Sequence, residues 1–222
     1  MHGPKLLVFD VCGTLFSEDT TIGLLERCLA LHAPRRHLLF RLLSNRYSPF
    51  NLLLRVLEKA SSHHIYKHLA IRLLAGISEE QMAGAAQSYL EYLLEHRVHQ
   101  PVFDEFLEAR QSGRTILVSA SLDPIIRALA DFYKIEYLAS QLESHAGRFT
   151  GRLLLDLTGR KLEALTDYLG SPTALAESHC YTDNFSDLEF ARQFKHRTII
   201  LLSPRHRNRW GSLKARYLGE RP

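Results

Sequence analysis

The chain of 222 residues has little of several features that define other protein classes. Its three cysteines, Cys12, Cys28 and Cys180, include no C-x-x-C pair, which excludes a disulfide framework and a cysteine-based zinc site. No apolar run approaches the roughly 18 residues of a membrane span, and the amino-terminal segment reaches Asp10 too early for a signal-peptide core. We therefore expect a soluble globular protein of the reducing cytoplasm.

Acidic residues are scarce in two parts of the chain. Residues 192–222 carry nine Lys or Arg and one acid, Glu220, and residues 35–72 carry eight Lys or Arg and one acid, Glu58. Such stretches can bind nucleic acid, anionic lipid or a phosphorylated substrate, or they can form a solvated surface without a partner. Because no nucleic-acid motif accompanies the charge, we expect a solvated basic face and no nucleic-acid partner. Peripheral contact with an anionic membrane stays open as an alternative.

Short apolar runs that end in a polar residue indicate buried β-strands. Helix-like stretches separate several of them, and strands that are apolar throughout favour a parallel sheet covered by helices on both faces. The sequence therefore predicts an α/β fold. The predicted strands cover residues 5–10, 115–119, 134–140, 178–183 and 197–203.

The pattern changes between the first strand and about residue 100, where apolar residues recur at helical spacing. Ser78 and Gln81 have the spacing of a capping box that opens the last of these helices. The sequence predicts an all-helical cap at residues 17–99, inserted into a core formed by residues 1–16 and 100–222. The predicted cap helices cover residues 20–32, 49–60, 65–76 and 78–96.

Polar residues at the ends of buried strands should converge, because ligands of open α/β sheets bind at the carboxyl ends of the strands. Here they are Asp10, Ser119 and Asp183, with Lys161 at the start of a predicted helix and Asp187 four residues after Asp183. Carboxylates ligate a hard cation, while lysine and serine bind phosphate oxygens. The sequence thus predicts a site for Mg²⁺ and a phosphoryl group.

Four segments then carry a family resemblance: "LLVFDVCGTLF", "ILVSAS", "GRFTGRLLLDLTGRKLEAL" and "CYTDNFSDLEF". In order and spacing they resemble the haloacid dehalogenase superfamily of hydrolases, most closely its phosphoserine-phosphatase-like branch. The resemblance implies a Rossmann-like core with a helical cap after the first strand. It also implies a Mg²⁺-dependent phosphatase that acts on a small anionic phosphomonoester.

The resemblance also implies the role of each site residue. Asp10 would attack phosphorus to give an aspartyl-phosphate, Ser119 would hold the phosphoryl group, and Lys161 would balance its charge. The implied Mg²⁺ ligands are Asp10, the backbone carbonyl of Cys12 and Asp183, with Asp187 acting through water. The implied substrate-binding residues are Gly13, Ala120 and Asn184.

Cys12 departs from the family pattern, in which a second aspartate follows the nucleophile by two residues. That carboxylate normally protonates the leaving group and later activates water, a contribution of about 10²- to 10⁴-fold in rate. A thiol with an ordinary pKa of about 8.5 is a poorer acid at neutral pH. The sequence therefore predicts either a slow phosphatase or a catalytically impaired homologue that binds a phosphorylated ligand or a partner.

Other readings of these residues are less favoured. Cys12 lacks the C-x₅-R pattern of cysteine-dependent phosphatases, because Glu18 is the sixth residue after it. Dehalogenase relatives do not use Mg²⁺, so the presence of Asp183 and Asp187 argues against a dehalogenase. Phosphonate-cleaving relatives need a cap lysine, for which Lys59 and Lys67 are weak candidates.

Two further expectations concern segments outside this site. We expect the histidines at 63, 64 and 68 to form a solvated or substrate-facing surface rather than a metal site. We also expect Trp210 to pack a carboxyl-terminal amphipathic helix onto the core.

Overall fold

The computed structural model describes residues 6–45, 65–171, 175–201, 203–211 and 213–219. The predicted helix at 49–60, with Lys59, His63 and His64, lies outside the described residues. The chain forms one seven-stranded sheet in the order β4-β3-β2-β1-β5-β6-β7. Its strands are β1 Leu6–Phe9, β2 Arg114–Leu122, β3 Glu136–His145, β4 Arg148–Leu155, β5 His179–Thr182, β6 His196–Ile200 and β7 Arg216–Leu218.

The sheet is parallel from β3 to β7, as the apolar strands predict, but β4 pairs antiparallel with β3. The predicted parallel sheet is therefore confirmed, and it gains at this edge an antiparallel strand that the sequence analysis did not predict. A two-residue turn joins β3 to β4, and its residues Ala146 and Gly147 both have positive φ, at 48° and 72°. Turns of this kind match the twist of a hairpin.

Helices cover both faces of the sheet. Those before residue 100 include three of the four predicted helices and also α2, which the sequence analysis missed. Ser78 and Gln81 form the predicted capping box. The helices are α1 Thr20–His32, α2 Pro34–Ser44, α3 Ile65–Arg72, α4 Glu79–His96, α5 Gln100–Ser112, α6 Asp123–Tyr133, α7 Lys161–Leu169 and α8 Leu188–Arg192.

Between β1 and α5, the helices α1 to α4 are the secondary-structure elements that the structure describes, and the predicted boundaries of core and cap stay a prediction. Among the described helices, none combines the length and apolarity that crossing a bilayer requires.

The carboxyl-terminal segment differs from the predicted amphipathic helix. Pro204–Trp210 is a 3₁₀ helix, and the chain then turns at Gly211 and adds β7 beside β6. Trp210 is buried, as expected, but it belongs to the 3₁₀ helix rather than to an amphipathic α-helix. The helix prediction is wrong because pairing with β6, a non-local contact, sets the conformation of residues 216–218.

The core lies in two layers, one on each face of the sheet. Leu7 and Phe9 of β1 join the cluster that contains side chains of α1 to α6, whereas Leu6 and Val8 join the cluster of α7, α8 and Trp210. Successive side chains of a strand point to opposite faces, so a strand buried on both sides must be apolar throughout. This burial fixes β1 at the centre of the sheet, with Asp10 directly after it.

Candidate active site

A cavity of about 340 Å³ lies where β1, β2 and β5 end. The structure brings every predicted site residue to this cavity except Gly13, which packs behind Asp183. Side chains of α1 and α3 also line it, so the helical region contributes to its walls. The lining residues from the sequence prediction are Asp10, Cys12, Ser119, Ala120, Lys161, Asp183, Asn184 and Asp187.

A buried lysine joins two carboxylates at the floor of the cavity. Lys161 Nζ lies 2.9 Å from Asp10 Oδ2 and 2.7 Å from Asp187 Oδ2, and all three residues are at most 5% exposed. Although burial alone would lower the pKa of Lys161, the charges of Asp10 and Asp187 raise it overall. Lys161 is therefore a fixed positive charge beside the Asp10 carboxylate.

Local geometry holds each of these groups in place. Asp10 continues the β1 pairing through its N–H to the Tyr181 carbonyl at 2.9 Å, and its Oδ1 accepts from Val11 N at 2.7 Å. Asp187 Oδ2 accepts a second hydrogen bond, from Thr182 Oγ1 at 2.8 Å. Because its Oδ2 is shared by Lys161 and Thr182, Asp187 orients the lysine toward Asp10.

Asp183 sits against the loop that leaves β1. Its Oδ1 accepts from Thr14 Oγ1 at 3.0 Å, and a Cβ at Gly13 would lie 2.2 Å from its Oδ2. Gly13 also has a φ of +74°, a conformation that side-chain-bearing residues rarely adopt. Gly13 thus serves the site by making room for Asp183.

The carboxylates of Asp10 and Asp183 are held in conditions that suit a bound cation. Burial raises the pKa of Asp10, and Lys161 offsets this only in part. Burial and the charge of Asp10 raise the pKa of Asp183 to about 7. Burial and mutual repulsion both disfavour the charged forms of these two carboxylates. A hard divalent cation bound between them would favour those charged forms, so the pair fits such a cation.

The side chains alone are too few for a complete ligand set. Within the described residues, no group of three or more His, Cys, Asp or Glu side chains is arranged to hold a metal ion. Hard cations take six or more oxygen ligands, including backbone carbonyls, water and substrate oxygens. Asp10 and Asp183 therefore fit as two ligands of a hard divalent cation whose other ligands are not side chains.

Ser119 lies in an irregular part of β2 rather than at the strand end that the sequence predicts. The β2–β3 register shifts between Val118 and Leu122, and Ser119 is fully buried. Its Oγ accepts from Ser121 N at 3.2 Å. The shift releases residues 119–121 from the regular ladder, so that Ser119, Ala120 and Ser121 line the cavity.

Lys67 of α3 reaches this turn from the helical region, a contact that the sequence analysis missed. Its Nζ donates to the Ala120 carbonyl at 3.1 Å, to Asp156 Oδ1 at 2.9 Å and to Thr158 Oγ1 at 3.0 Å. Although burial alone would raise it, hydrogen bonds from Thr158 and Lys67 lower the pKa of Asp156 to about 2. No local signal could find this network, because its members are far apart in sequence.

Cys12 faces the amino-terminal end of α1, near Asp19. Burial, followed by the charges of Asp19 and Asp10, raises the pKa of the Cys12 thiol far above its ordinary value. The thiol is therefore neutral at physiological pH, which argues against Cys12 as a nucleophile and against Cys12 as an acid that gives up its proton readily.

Asn184 is exposed at the cavity and also has a local structural role. Its Oδ1 accepts from Ser186 N at 3.0 Å, capping the short 3₁₀ helix Phe185–Asp187. That helix brings Asp187 back beneath Lys161. Thr14 and Thr182, each next to a predicted site residue, complete the set of polar partners that sequence reasoning did not single out.

Comparison with known proteins agrees with this geometry. The family model for haloacid dehalogenase-like hydrolases matches residues 7–192. A protein of unknown function from Bordetella pertussis Tohama I has a similar structure, with a TM-score of 0.80 and 17% identity, over 98% of this chain and 99% of that one. Among curated proteins, no sequence match is found.

Two solved structures of named enzymes share the fold at lower similarity. A phospho-aspartyl intermediate analogue of phosphoserine phosphatase aligns with a TM-score of 0.55 and 14% identity, over 99% of this chain and 95% of that one. Cytosolic 5'-nucleotidase IIIB bound to cytidine aligns with a TM-score of 0.64 and 13% identity, over 96% of this chain and 80% of that one. At such identities the likeness concerns the fold.

Proposed function

The chain belongs to the family of haloacid dehalogenase-like hydrolases, and on that premise we propose that it is a Mg²⁺-dependent phosphatase acting on small anionic phosphomonoesters through an aspartyl-phosphate. The observation that carries the proposal is the buried Asp10–Lys161 pair at the floor of a cavity that Ser119 and Asp183 also line. The phospho-aspartyl form named for the phosphoserine phosphatase structure supports the same chemistry.

In the proposed reaction an oxygen of Asp10 attacks phosphorus, the ester P–O bond breaks, and the phosphoryl group moves to Asp10. Lys161, held by Asp187, offsets negative charge on the phosphoryl oxygens, and Ser119 Oγ hydrogen-bonds one of them. Water then attacks the aspartyl-phosphate, which releases phosphate and restores the carboxylate. Mg²⁺, when bound by Asp10, Asp183 and the Cys12 carbonyl, supplies positive charge that reduces repulsion between the carboxylate and the phosphate.

The leaving oxygen must take up a proton, and this site has no carboxylate at position 12 to give one. We therefore propose turnover that is fastest for aryl and acyl phosphates, whose leaving groups depart unprotonated. Ala120 and Asn184 complete the proposed substrate pocket, whereas Gly13, which the resemblance also implied, packs against Asp183 and does not line the cavity.

A screen of phosphorylated metabolites and an aryl phosphate, with Mg²⁺ present and then removed by chelation, tests this function. We expect Mg²⁺-dependent release of phosphate from the wild type and none from Asp10→Asn. Asn fits the same space and removes only the nucleophilic charge. Full activity of Asp10→Asn, or activity that survives chelation, would contradict the assignment.

A second candidate function is binding of a phosphorylated ligand without efficient turnover, and the neutral Cys12 thiol favours it. Beryllofluoride, which mimics the aspartyl-phosphate, separates the two candidates when it is combined with the screen. Mg²⁺-dependent beryllofluoride binding together with no hydrolysis of any phosphoester would support the second candidate and contradict the first.

A further inference from the structure

Helix α2 is unusual in presenting its apolar residues to solvent. Phe40 is its one buried residue and packs toward the core, whereas three leucines of the helix are more than half exposed. A fourth exposed leucine, Leu31, stands near the end of α1. The exposures are Leu31 61%, Leu38 64%, Leu39 53% and Leu42 55%.

The three leucines of α2 share one side of the helix with two arginines. Residues three or four apart lie side by side on a helix, which places Arg35 beside Leu38 and Leu39, and Arg41 beside Leu38. Both arginines are exposed. We call this surface the α2 face; it consists of Leu38, Leu39, Leu42, Arg35 and Arg41.

The charge around the α2 face is predominantly positive. Between Glu26 and Glu58 the sequence carries six arginines and no acidic residue. Glu26 is the one acidic residue among those that line the groove beside Leu38 and Arg41. Exposed leucines with flanking arginines are the composition of a helix that lies in the interface of an anionic bilayer, where the leucines enter the acyl boundary and the arginines meet lipid phosphates.

We infer that the α2 face is a docking surface for an anionic lipid bilayer. A second copy of the chain fits the same face less well, because a twofold contact would bring Arg35 and Arg41 of both copies together with Glu26 of each copy as the one acid that lines the groove. The inference does not depend on the proposed hydrolysis.

The α2 face is linked to the cavity, so docking would determine where the cavity lies relative to the bilayer. Ser44, the last residue of α2, has its Oγ 2.6 Å from Tyr66 Oη on α3, and Tyr66 lines the cavity beside Lys67. One helix therefore connects the docking surface to the wall of the candidate active site. A docked chain would hold that cavity close to the lipid surface.

Flotation of the full chain with lipid vesicles tests the inference. We expect binding to vesicles that contain phosphatidylglycerol, little binding to vesicles of phosphatidylcholine alone, and weakening as salt is raised. Leu38→Ser/Leu42→Ser should weaken binding about tenfold or more, because two leucines lose their apolar contact with lipid. Arg35→Gln/Arg41→Gln should reduce the preference for phosphatidylglycerol.

Leu154→Ser is the matched control, since Leu154 is 68% exposed on β4, in a different part of the fold. It should bind vesicles as the wild type does. Absence of binding to phosphatidylglycerol vesicles, or equal loss in the control, would overturn the inference. So would a drop in the melting temperature of Leu38→Ser/Leu42→Ser well beyond the small loss from serine's weaker helix propensity, because it would show that the face is covered. Conversion of a dimer to a monomer in light scattering would also overturn the inference and assign the face to a second copy.

Discussion

Cys12 stands where the family resemblance leads us to expect a carboxylate, and its surroundings favour the neutral thiol. Its side chain lies near Asp19 and Asp10, whose charges oppose ionisation. A proton donor at this position must act beside Asp10 without repelling an incoming phosphate. The departure from the family pattern is therefore confined to one side chain, because the same loop keeps Gly13 and Thr14 in contact with Asp183.

We predict that Cys12→Asp increases hydrolysis of an alkyl phosphomonoester by up to about 10²- to 10⁴-fold, the contribution of a general acid and base. Hydrolysis of an aryl phosphate should increase less, because its leaving group needs no proton. Steady-state kinetics on both substrates measure the difference. Cys12→Asn, of similar size but without acid or base character, is the control. If Cys12→Asp lowers an already efficient activity, Cys12 has a role of its own.

His179 is a second residue whose ionisation the fold opposes. Its Nε2 lies 2.8 Å from Thr198 Oγ1, and its ring stacks on Tyr181 with centroids 4.3 Å apart. Burial, together with the charges of Arg216 and His196, lowers the pKa of His179 from 6.5 to about 4. The folded protein therefore keeps this ring neutral at a pH where the unfolded chain protonates it.

We predict that this lowered pKa makes stability depend on pH. The contribution of His179 is fully present above pH 6.5, its unfolded pKa, and is lost as pH falls toward 4. The loss of unfolding free energy amounts to about 2 kcal/mol by about pH 5. His179→Gln can still hydrogen-bond Thr198 and should lose less stability than the wild type between neutral pH and about pH 5. Parallel loss in both proteins, measured by urea unfolding, would disprove this account.

At the scale of elements, α3 is attached to the sheet by Lys67. The contacts of its Nζ with Asp156 and with the Ala120 carbonyl tie a helix of the predicted cap to the turn that carries Ser119. The side chains of Lys67 and Asp156 are 14% and 26% exposed, so water competes for this pair only in part. The same contacts therefore serve the attachment of the helix and the shape of the cavity.

We predict that Lys67→Met and Asp156→Asn are energetically coupled. In a double-mutant cycle of urea unfolding, the coupling should be about 1 to 3 kcal/mol, as for hydrogen-bonded charged groups that are partly buried. The exposed pair Lys195–Glu177, whose side chains are 53% and 60% exposed, is the control. Its coupling should be below about 1 kcal/mol. Equal coupling in both pairs would show that burial adds nothing at Lys67.

The elements also show where sequence patterns were sufficient. β1, β5 and the capping box of α4 depend on local signals, namely an apolar run that ends in a polar residue and the Ser78–Gln81 spacing, and they were predicted correctly. The antiparallel β4, the missed α2 and the strand β7 depend on partners elsewhere in the chain. Helix α2 buries only Phe40, and its leucines face solvent instead of forming the core-facing stripe of a typical surface helix.

The candidate site divides in the same way. Residues that follow buried strands converge by topology alone, so Asp10, Ser119 and Asp183 could be predicted from the sequence. Their partners could not, because the hydrogen bond of Thr182 with Asp187 and the reach of Lys67 across 53 residues to Ala120 depend on the folded backbone. Sequence reasoning therefore found the residues that converge on the cavity and missed several of the residues that hold them in place.

In the whole molecule the two basic regions have different surroundings. The α2 face combines its arginines with exposed leucines. In the carboxyl-terminal region, Arg207 stacks on Tyr217 and Arg209 on Phe185, and Arg197 donates to the backbone carbonyls of Ala191 and Lys214. Basic side chains that pack on their own domain are less available to a partner. The carboxyl-terminal charge is thus better explained as part of the structure that covers the second face of the sheet.

We predict that Trp210 is the residue on which this cover depends. It is 2% exposed, packs in the cluster of α7 and α8, and meets the edge of Phe185 at a centroid distance of 5.7 Å. Trp210→Ala should lower the free energy of unfolding by about 3 to 5 kcal/mol, through lost burial and the cavity left behind. Trp210→Phe retains much of the apolar volume and should cost clearly less. Chemical denaturation followed by circular dichroism measures both. If Trp210→Ala leaves stability unchanged while it removes salt-sensitive binding to DNA, RNA or anionic vesicles, the carboxyl-terminal segment is a partner surface rather than a structural cover.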